Sequence, residues 1–461
     1  MPLSSSYRPD PAWLSLGPGF QDPVRAATPP QRTLRFRNDR AAATVGLGLL
    51  ADREWLDHFA SFVPLPDNHP EPLALRYHGH QFRHYNPDLG DGRGFLFAQL
   101  RDAAGRLLDL GTKGSGTTPW SRGGDGRLTL QGGVREVLAA ELLQARGVDT
   151  CRILSVVETG EELIRHDEPS PTRSCVLVRL SHGHVRVGSF QRLATLGEAD
   201  RARALFDYCA RHFFQGSEPA AVLREIVARC AQTAAGWMTA GFVHGVLNTD
   251  NLNVTGESFD YGPWRWLPSY DPEFTAAYFD GTGLYSYERQ PGSVLWNLRR
   301  LVDAWSCFAD DAALSPVLEE FAPRYRSALQ ARWLARLGVA SAGVGADRAL
   351  IAASASFLVG TELSPEGFFH DWYGGVASAQ RALSGPRGDA YRRPDFAPVR
   401  HAIERHAPCG DLDHPHLQRE QPVHLMHARV EQIWDAIADD DDWAPFHDAV
   451  AEIRAAAGLL G

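Results

Sequence analysis

The stretch that decides the reading of this chain is HGVLNTDNLNVTGESFDYG, residues 244–262. Within it, Asp250 and Asn251 are neighbours on a short polar loop, and Asp260 follows nine residues later in a DYG turn. Adjacent carboxylate and carboxamide oxygens facing a second carboxylate make an oxygen-rich site suited to Mg²⁺ with a bound nucleotide. Asparagine is scarce, seven in the whole chain, yet Asn248, Asn251 and Asn253 fall within six residues, which points to a local demand.

Working outward, the same demand shows upstream. The 46 basic residues are 45 Arg and a single Lys, Lys113, in GTKGSGTTPWSRGGDGR (111–127). Lys is a compact, flexible point charge and Arg a planar fork, so a site built on an ammonium need not accept the exchange. LGDGRG (89–94) precedes it, and glycines there let backbone approach a phosphate. The glycines around Lys113 follow the lysine and no helix opens directly on it, so this is not a GxxxxGK[ST] loop. Downstream, VREVLAAELLQAR (134–146) has apolar residues at helical spacing and carries Glu136, a plausible ion-pair partner for Lys113; Glu141 is the second choice. Gly-rich loop, strand lysine, helix glutamate, His-x₆-Asn loop and Asp-x-Gly stand in the order of the protein-kinase motifs. Aligned on His244 and Asn251, the usual catalytic Asp becomes Val246. Arg179 and Arg186, seven residues apart, are candidates to converge on one phosphate.

Around these motifs the pattern predicts a hairpin from FLFAQL (95–100) and LLDLGTK (107–113), then strands at 151–159 and 174–180 separated by the polar loop RHDEPSPTR. Beyond 198 the periodicity is helical, through two helices ending near 214 and 241 and further ones at 293–309, 315–336, 348–358 and 423–438. A Gly, Pro and Arg-rich segment at 384–398 reads as loop. Residues 1–40 read as an extended arm over a neighbouring surface. The fold class expected is therefore α+β, two-lobed and protein-kinase-like. Its parts are an N-terminal arm (1–40), a small β-rich N-lobe (41–195), a larger helical C-lobe core (196–310) and a helical C-terminal extension (311–461).

Composition narrows the classes. The chain has 461 residues, 44% hydrophobic and 22% charged, which excludes disorder, collagen and a disulfide scaffold. A formal charge of −10 argues against a nucleic-acid partner. No apolar run approaches the ~20 residues of a membrane span, and residues 1–20 have neither a signal-peptide core nor an Arg-rich start, so the expectation is a cytoplasmic protein with no membrane partner. The six cysteines lie far apart and read as buried free thiols. The histidine groups at 78–84 and 401–427 read as structural, and the run Asp439 to Asp442 as a solvated helix end.

The strings YHGHQFRHYNPDLGDGRG, GTKGSGTTPWSRGGDGR, VRE, HGVLNTDNLNV and DYGPW resemble the selenoprotein O family of pseudokinase-fold protein adenylyltransferases, over roughly residues 70–300. The resemblance implies an inverted ATP whose α-phosphate faces a Ser, Thr or Tyr hydroxyl of a protein substrate, AMP being transferred and pyrophosphate released. It implies that Lys113, Arg179 and Arg186 bind the terminal phosphates and that Glu136 orients Lys113. Gly90, Gly92, Arg93, Asp125 and Gly126 would line the nucleotide. Asn251 and Asp260 would bind Mg²⁺ or Mn²⁺, Asp260 also contributing to the ATP site, with Asp250 as the base. An atypical kinase transferring the γ-phosphoryl, or a non-catalytic ATP-binding scaffold, are the alternatives. Where the family commonly has a cysteine after SYDPEF, this chain has Thr275, Ala276 and Ala277, and no cysteine follows Cys409, so a redox switch of that kind is not expected. Residues 310–461 match the family only loosely.

Overall fold

The computed structural model describes residues 3–165 and 169–460; the middle of the predicted polar loop, 166–168, lies outside the described residues. In chain order the strands are β1 (Gln21–Pro23), β2 (Thr33–Arg37), β3 (Leu73–Leu75), β4 (Gly79–Gln81), β5 (His84–Asn86), β6 (Leu96–Arg101), β7 (Leu107–Lys113), β8 (Leu128–Thr129), β9 (Arg152–Leu163), β10 (Thr172–Ser181), β11 (Phe242–Val243) and β12 (Arg265–Trp266). Among the described residues, one antiparallel sheet runs β1-β3-β6-β7-β10-β9-β2, with β8 beside β10, while β4–β5 and β11–β12 form separate pairs.

Strand periodicity places the chemistry. Along β7 every residue is buried, and alternate side chains point to opposite faces. Leu108 and Leu110 pack with Val176 and Val178 of β10 on one face, under Trp55 and Phe59. The other face therefore receives Asp109, Gly111 and Lys113. Because Leu177 pairs with Lys113 and Arg179 with Gly111, Arg179 stands on the same face as the lysine. The expected hairpin is β6–β7, with Arg101 opposite Leu107.

Seven helices are needed for the description: α1 (Asp39–Thr44), α2 (Asp52–Phe59), α3 (Leu130–Ala145), α4 (Val187–Thr195), α5 (Ala199–Phe213), α6 (Pro219–Ala240) and α7 (Gln290–Trp305). α1 and α2 cover the back of the sheet, and α3 lies against its Lys113 face. α3 begins at Leu130, one turn before the predicted start, since Thr129 caps it by accepting from the Gly132 N–H at 3.2 Å. α4 was not predicted; its nine residues follow directly on Arg186, and seven of them are buried.

The predicted arm is part of the sheet, supplying β1 to one edge and β2 to the other. The predicted 384–398 loop contains the helix Gly388–Arg392 and a 3₁₀ turn at Pro394–Phe396, whose Phe396 is fully buried. Helix 423–438 starts instead at His427, because Val423 and Leu425 enter the main core from the non-helical segment before it. The last helices return to the sheet: Phe446 packs edge-on against Phe36, and Arg454 holds Glu141 of α3. Asp441 ends its helix at φ +49° and accepts from Arg173 at 2.7 Å, so the acidic run is tied to β10 as well as solvated. Of the six cysteines, Cys151, Cys175, Cys209 and Cys230 are buried as expected, whereas Cys307 and Cys409 are exposed.

Candidate active site

All of the predicted residues except Glu136 and Asn251 line a cavity of about 790 Å³ beneath the Lys113 face of the sheet. Lys113 Nζ donates to Glu136 Oε1 on α3, and to Asp260 Oδ1 at 2.7 Å. Of the two candidate glutamates, Glu136 is the partner, while Glu141 lies farther along α3 and is bound by Arg454 from the C-terminal helices. Lys113 and Glu136 are 7% and 1% exposed, so the ammonium is fixed in a site with little water.

Asp260 is the focus of three cations. Besides Lys113, Arg186 Nη1 lies 3.5 Å from its Oδ2 and Arg179 Nη1 lies 3.7 Å from its Oδ1. Burial works to raise this carboxyl, but Lys113, Arg179 and Arg186 together hold it well below the usual carboxylate range. The residue sits at φ +64°, a conformation that costs an L residue about 1–2 kcal/mol and that the surrounding ion pairs offset. Both guanidiniums also lie over the ring of Phe259, at 5.1 and 4.9 Å, which gives their planes a defined seat. Arg186, at the residue before α4, donates from Nη1 to the Asp250 carbonyl at 2.6 Å and reaches Asp91.

Asp250 lies in a 3₁₀ turn, Thr249–Asn251, pinned from two sides. From the β4–β5 hairpin, the His80 N–H donates to Thr249 Oγ1 at 2.7 Å and the Phe82 N–H to Asn248 Oδ1 at 3.0 Å. From α7, Asn297 donates to the Leu247 carbonyl at 2.9 Å. The Asp250 side chain is 7% exposed and its Oδ1 is buried without a hydrogen-bond partner. Burial pushes the carboxyl up to about 6, against the opposing charge of Arg186. A buried carboxyl near neutrality with one unengaged oxygen is suited to taking a proton.

The asparagine cluster divides by role. Asn248 anchors the hairpin, and Asn253 donates to the Gly183 carbonyl at 2.6 Å, so both brace loops. Asn251 donates its NH₂ to the Val246 carbonyl at 3.1 Å, which leaves Oδ1 as its lone-pair face. Unlike Asp250 and Asp260, Asn251 does not line the cavity. Among the described residues there is no group of three or more His, Cys, Asp or Glu side chains able to hold a metal. His244, the first residue of the His-x₆-Asn loop, joins that loop to the DYG segment through the Phe259 carbonyl at 3.1 Å.

The Gly-rich loops line the cavity mouth, with Gly90, Gly92, Arg93, Asp125 and Gly126 all on it. Gly90 and Gly92 have a local reason for lacking a side chain: a Cβ would stand 2.4 Å from the Trp120 ring at Gly90 and 2.8 Å from the Trp120 carbonyl at Gly92. Their smallness lets the two loops close on each other. Asp125 is paired with Arg165 at 2.8 Å on the rim. Asp91, between those two glycines, was missed by the sequence reading. It accepts from the Leu75 N–H at 3.0 Å and faces Arg186, so its carboxylate helps to bury that cation. Its place inside LGDGRG was the available signal. Tyr77, whose ring lies 4.4 Å from the Arg186 guanidinium, had none.

Comparison with known proteins shows the family. Residues 3–382 match the family described as "Protein adenylyltransferase SelO". Relatives that carry the name "Protein nucleotidyltransferase YdiU" include three from cyanobacteria. The one from Gloeobacter violaceus is 43% identical and spans 96% of this chain and 94% of its own length. That from Synechococcus elongatus is 42% identical over 95% and 92%, and that from Synechocystis is 41% identical over 96% and 97%.

Proposed function

Since the chain belongs to the SelO family and is a protein nucleotidyltransferase, we propose that it transfers AMP from ATP to a Ser, Thr or Tyr hydroxyl of a protein, using a nucleotide bound with its terminal phosphates innermost. The observation that carries this reading is the convergence of Lys113, Arg179 and Arg186 on the carboxylate of Asp260, beside the unpartnered Oδ1 of Asp250. Three fixed cations deep in the cleft are suited to the β- and γ-phosphates, where they stabilise the pyrophosphate that departs. The acceptor hydroxyl gives its proton to Asp250 as its oxygen bonds to the α-phosphorus. The bond between the α-phosphorus and its bridging oxygen breaks, and that electron pair leaves with pyrophosphate. Glu136 keeps the Lys113 ammonium in place and takes no part in the transfer.

Asn251 Oδ1 and the Asp260 carboxylate are hard oxygen donors that would fit Mg²⁺ or Mn²⁺, which bind through one or two such side chains plus phosphate oxygens. A bound ion would neutralise charge on the phosphates. Gly90, Gly92, Arg93, Asp125 and Gly126 would border the outer part of the nucleotide. The sheet with α3 against it, joined to the helices from α4 onward, supports a two-lobed, protein-kinase-like arrangement. No helix among the described residues is long and apolar enough to cross a membrane, and a cytoplasmic location without nucleic-acid or membrane partners is part of the same reading.

The deciding experiment compares ATP labelled at the α-phosphate with ATP labelled at the γ-phosphate, added with Mg²⁺ or Mn²⁺ to the protein and to a lysate, with Asp260→Ala as control. Protein-bound α-label without γ-label, lost in Asp260→Ala, is the expected result. Incorporation of γ-label alone would replace the reading by phosphoryl transfer, and no incorporation of either by a nucleotide-binding scaffold.

A further inference from the structure

Behind Arg179 runs a buried polar line that the transfer reaction itself does not use. Asp109 of β7 accepts from Gln99 Nε2 at 2.7 Å through Oδ1, and its Oδ2 lies 3.2 Å from His184 Nδ1. On the other edge of the same imidazole, Arg179 Nε donates to His184 Nε2 at 3.2 Å. Asp109, His184 and Arg179 are 1%, 5% and 4% exposed. A slot is built for the ring: Gly111 lies between Asp109 and Lys113 on the same face, and a Cβ there would stand 2.5 Å from His184 Nε2.

The protonation pattern follows from donor chemistry. A guanidinium only donates, so Nε2 must be a lone pair, and the ring proton must be on Nδ1, directed at the Asp109 carboxylate. With Nε thus engaged, Arg179 Nη1 is buried without a hydrogen-bond partner, next to the cavity that Arg179 lines. We infer that His184, oriented by Asp109, is a positioning residue that holds the Arg179 guanidinium in the orientation needed to bind a nucleotide phosphate. The inference rests on the reading of Arg179 given above. An arginine held only by its stem samples several rotamers, and a displacement of about 1 Å at a phosphate contact costs up to roughly a hundredfold in turnover.

The test uses the full-length protein, with steady-state kinetics in ATP for His184→Leu, His184→Gln, Asp109→Asn, Arg179→Ala and the double variant Arg179→Ala/His184→Leu. His184→Leu should raise the KM for ATP at least about tenfold, while His184→Gln, which can both accept from Arg179 and donate to Asp109, should restore most of the affinity. In Asp109→Asn an NH₂ group must face either Gln99 or His184. Facing the ring, it drives the ring proton to Nε2, against Arg179, and the KM should rise as in His184→Leu. That variant also serves if His184→Leu fails to fold. Acting through Arg179 has a signature a merely structural role lacks: in the Arg179→Ala background, removing His184 should raise the KM no further. Equal and additive effects in the two backgrounds, or a normal KM in both His184→Leu and Asp109→Asn while Arg179→Ala is impaired, would overturn the inference and leave the reading of Arg179 standing. A normal KM in Arg179→Ala would remove the reading of Arg179 and the inference with it.

Discussion

Asp250→Asn separates the chemical use of this carboxyl from the energetic penalty of burying it. In the folded chain burial pushes the group from its ordinary value of 3.8 to about 6; unfolded, it returns to the ordinary value. Between those values the folded protein holds a proton that the unfolded chain has released, so stability falls as pH rises through the window and is flat above it. The full drop corresponds to about 3 kcal/mol, of which about 1 kcal/mol has accrued by pH 4.5. Asparagine has nearly the same shape and no charge at any pH. The variant should therefore gain about 2 kcal/mol over wild type on going from pH 4.5 to pH 8, all other titrating groups cancelling in the difference. Urea unfolding followed by tryptophan fluorescence at the two pH values measures this, and a gap between variant and wild type that does not widen with pH would refute the burial argument. The same variant should lack transfer activity, and wild-type turnover should fall about tenfold per pH unit below about 6 as Asp250 takes up its proton.

Lys113→Met should destabilise the fold by about 3–5 kcal/mol, because it strands Glu136 in a buried site, whereas Glu136→Gln keeps the 2.7 Å bond from Lys113 to Asp260 and should cost less than about 2 kcal/mol. Equal losses by urea unfolding would contradict that asymmetry. Glu366, which binds Arg146 at 2.5 Å and Arg336 at 2.9 Å, joins the end of α3 to the helical region; Glu366→Ala leaves two buried guanidiniums without an anion and should cost about 3–5 kcal/mol, with Glu366→Gln milder. Asp260→Asn should bind metal-free ATP severalfold tighter by calorimetry, since it removes the carboxylate that competes with phosphate for three cations, while losing Mg²⁺-supported transfer. Weaker metal-free binding would mean that Asp260 organises the cations more than it competes with them.

What was legible in the sequence was local or carried by rare residues. A single lysine at the end of an apolar strand and a glutamate on the next helix identified the ion pair because few other residues could play either part. Strand alternation gave β7 and β10, and with their register it puts Lys113 and Arg179 on one face. What was not legible depends on contacts between distant segments. β1 is only three residues long and β2 only five, too short for the alternation of Leu34 and Phe36 to stand out, and both are held at edges of the sheet. α4 is short, and its apolar face is recognisable only once the β4–β5 hairpin and α7 are packed around it. Gly90 and Gly92 were read as phosphate-approach positions, yet each also meets Trp120, some 30 residues downstream, which no local pattern announces. The cavity shows that the two reasons are compatible, since loops that close on each other through an indole also form its mouth.

The clustering of cations explains why the site needs so many carboxylates. Lys113, Arg179 and Arg186 are each less than 8% exposed, and unpaired cations at such depth would lose their hydration without return. Each has instead a carboxylate shared with another: Asp260 faces all three, Glu136 holds Lys113 from α3, and Asp91 holds Arg186 from the Gly-rich loop. Arg179 differs, for apart from its 3.7 Å approach to Asp260 it is held by a neutral imidazole, an acceptor that orients it without neutralising it. A carboxylate in the place of His184 would tie Arg179 in a full ion pair and weaken its pull on an arriving phosphate. The histidine keeps the geometry and leaves the charge available, and Asp109, one atom chain farther back, secures the tautomer on which that depends.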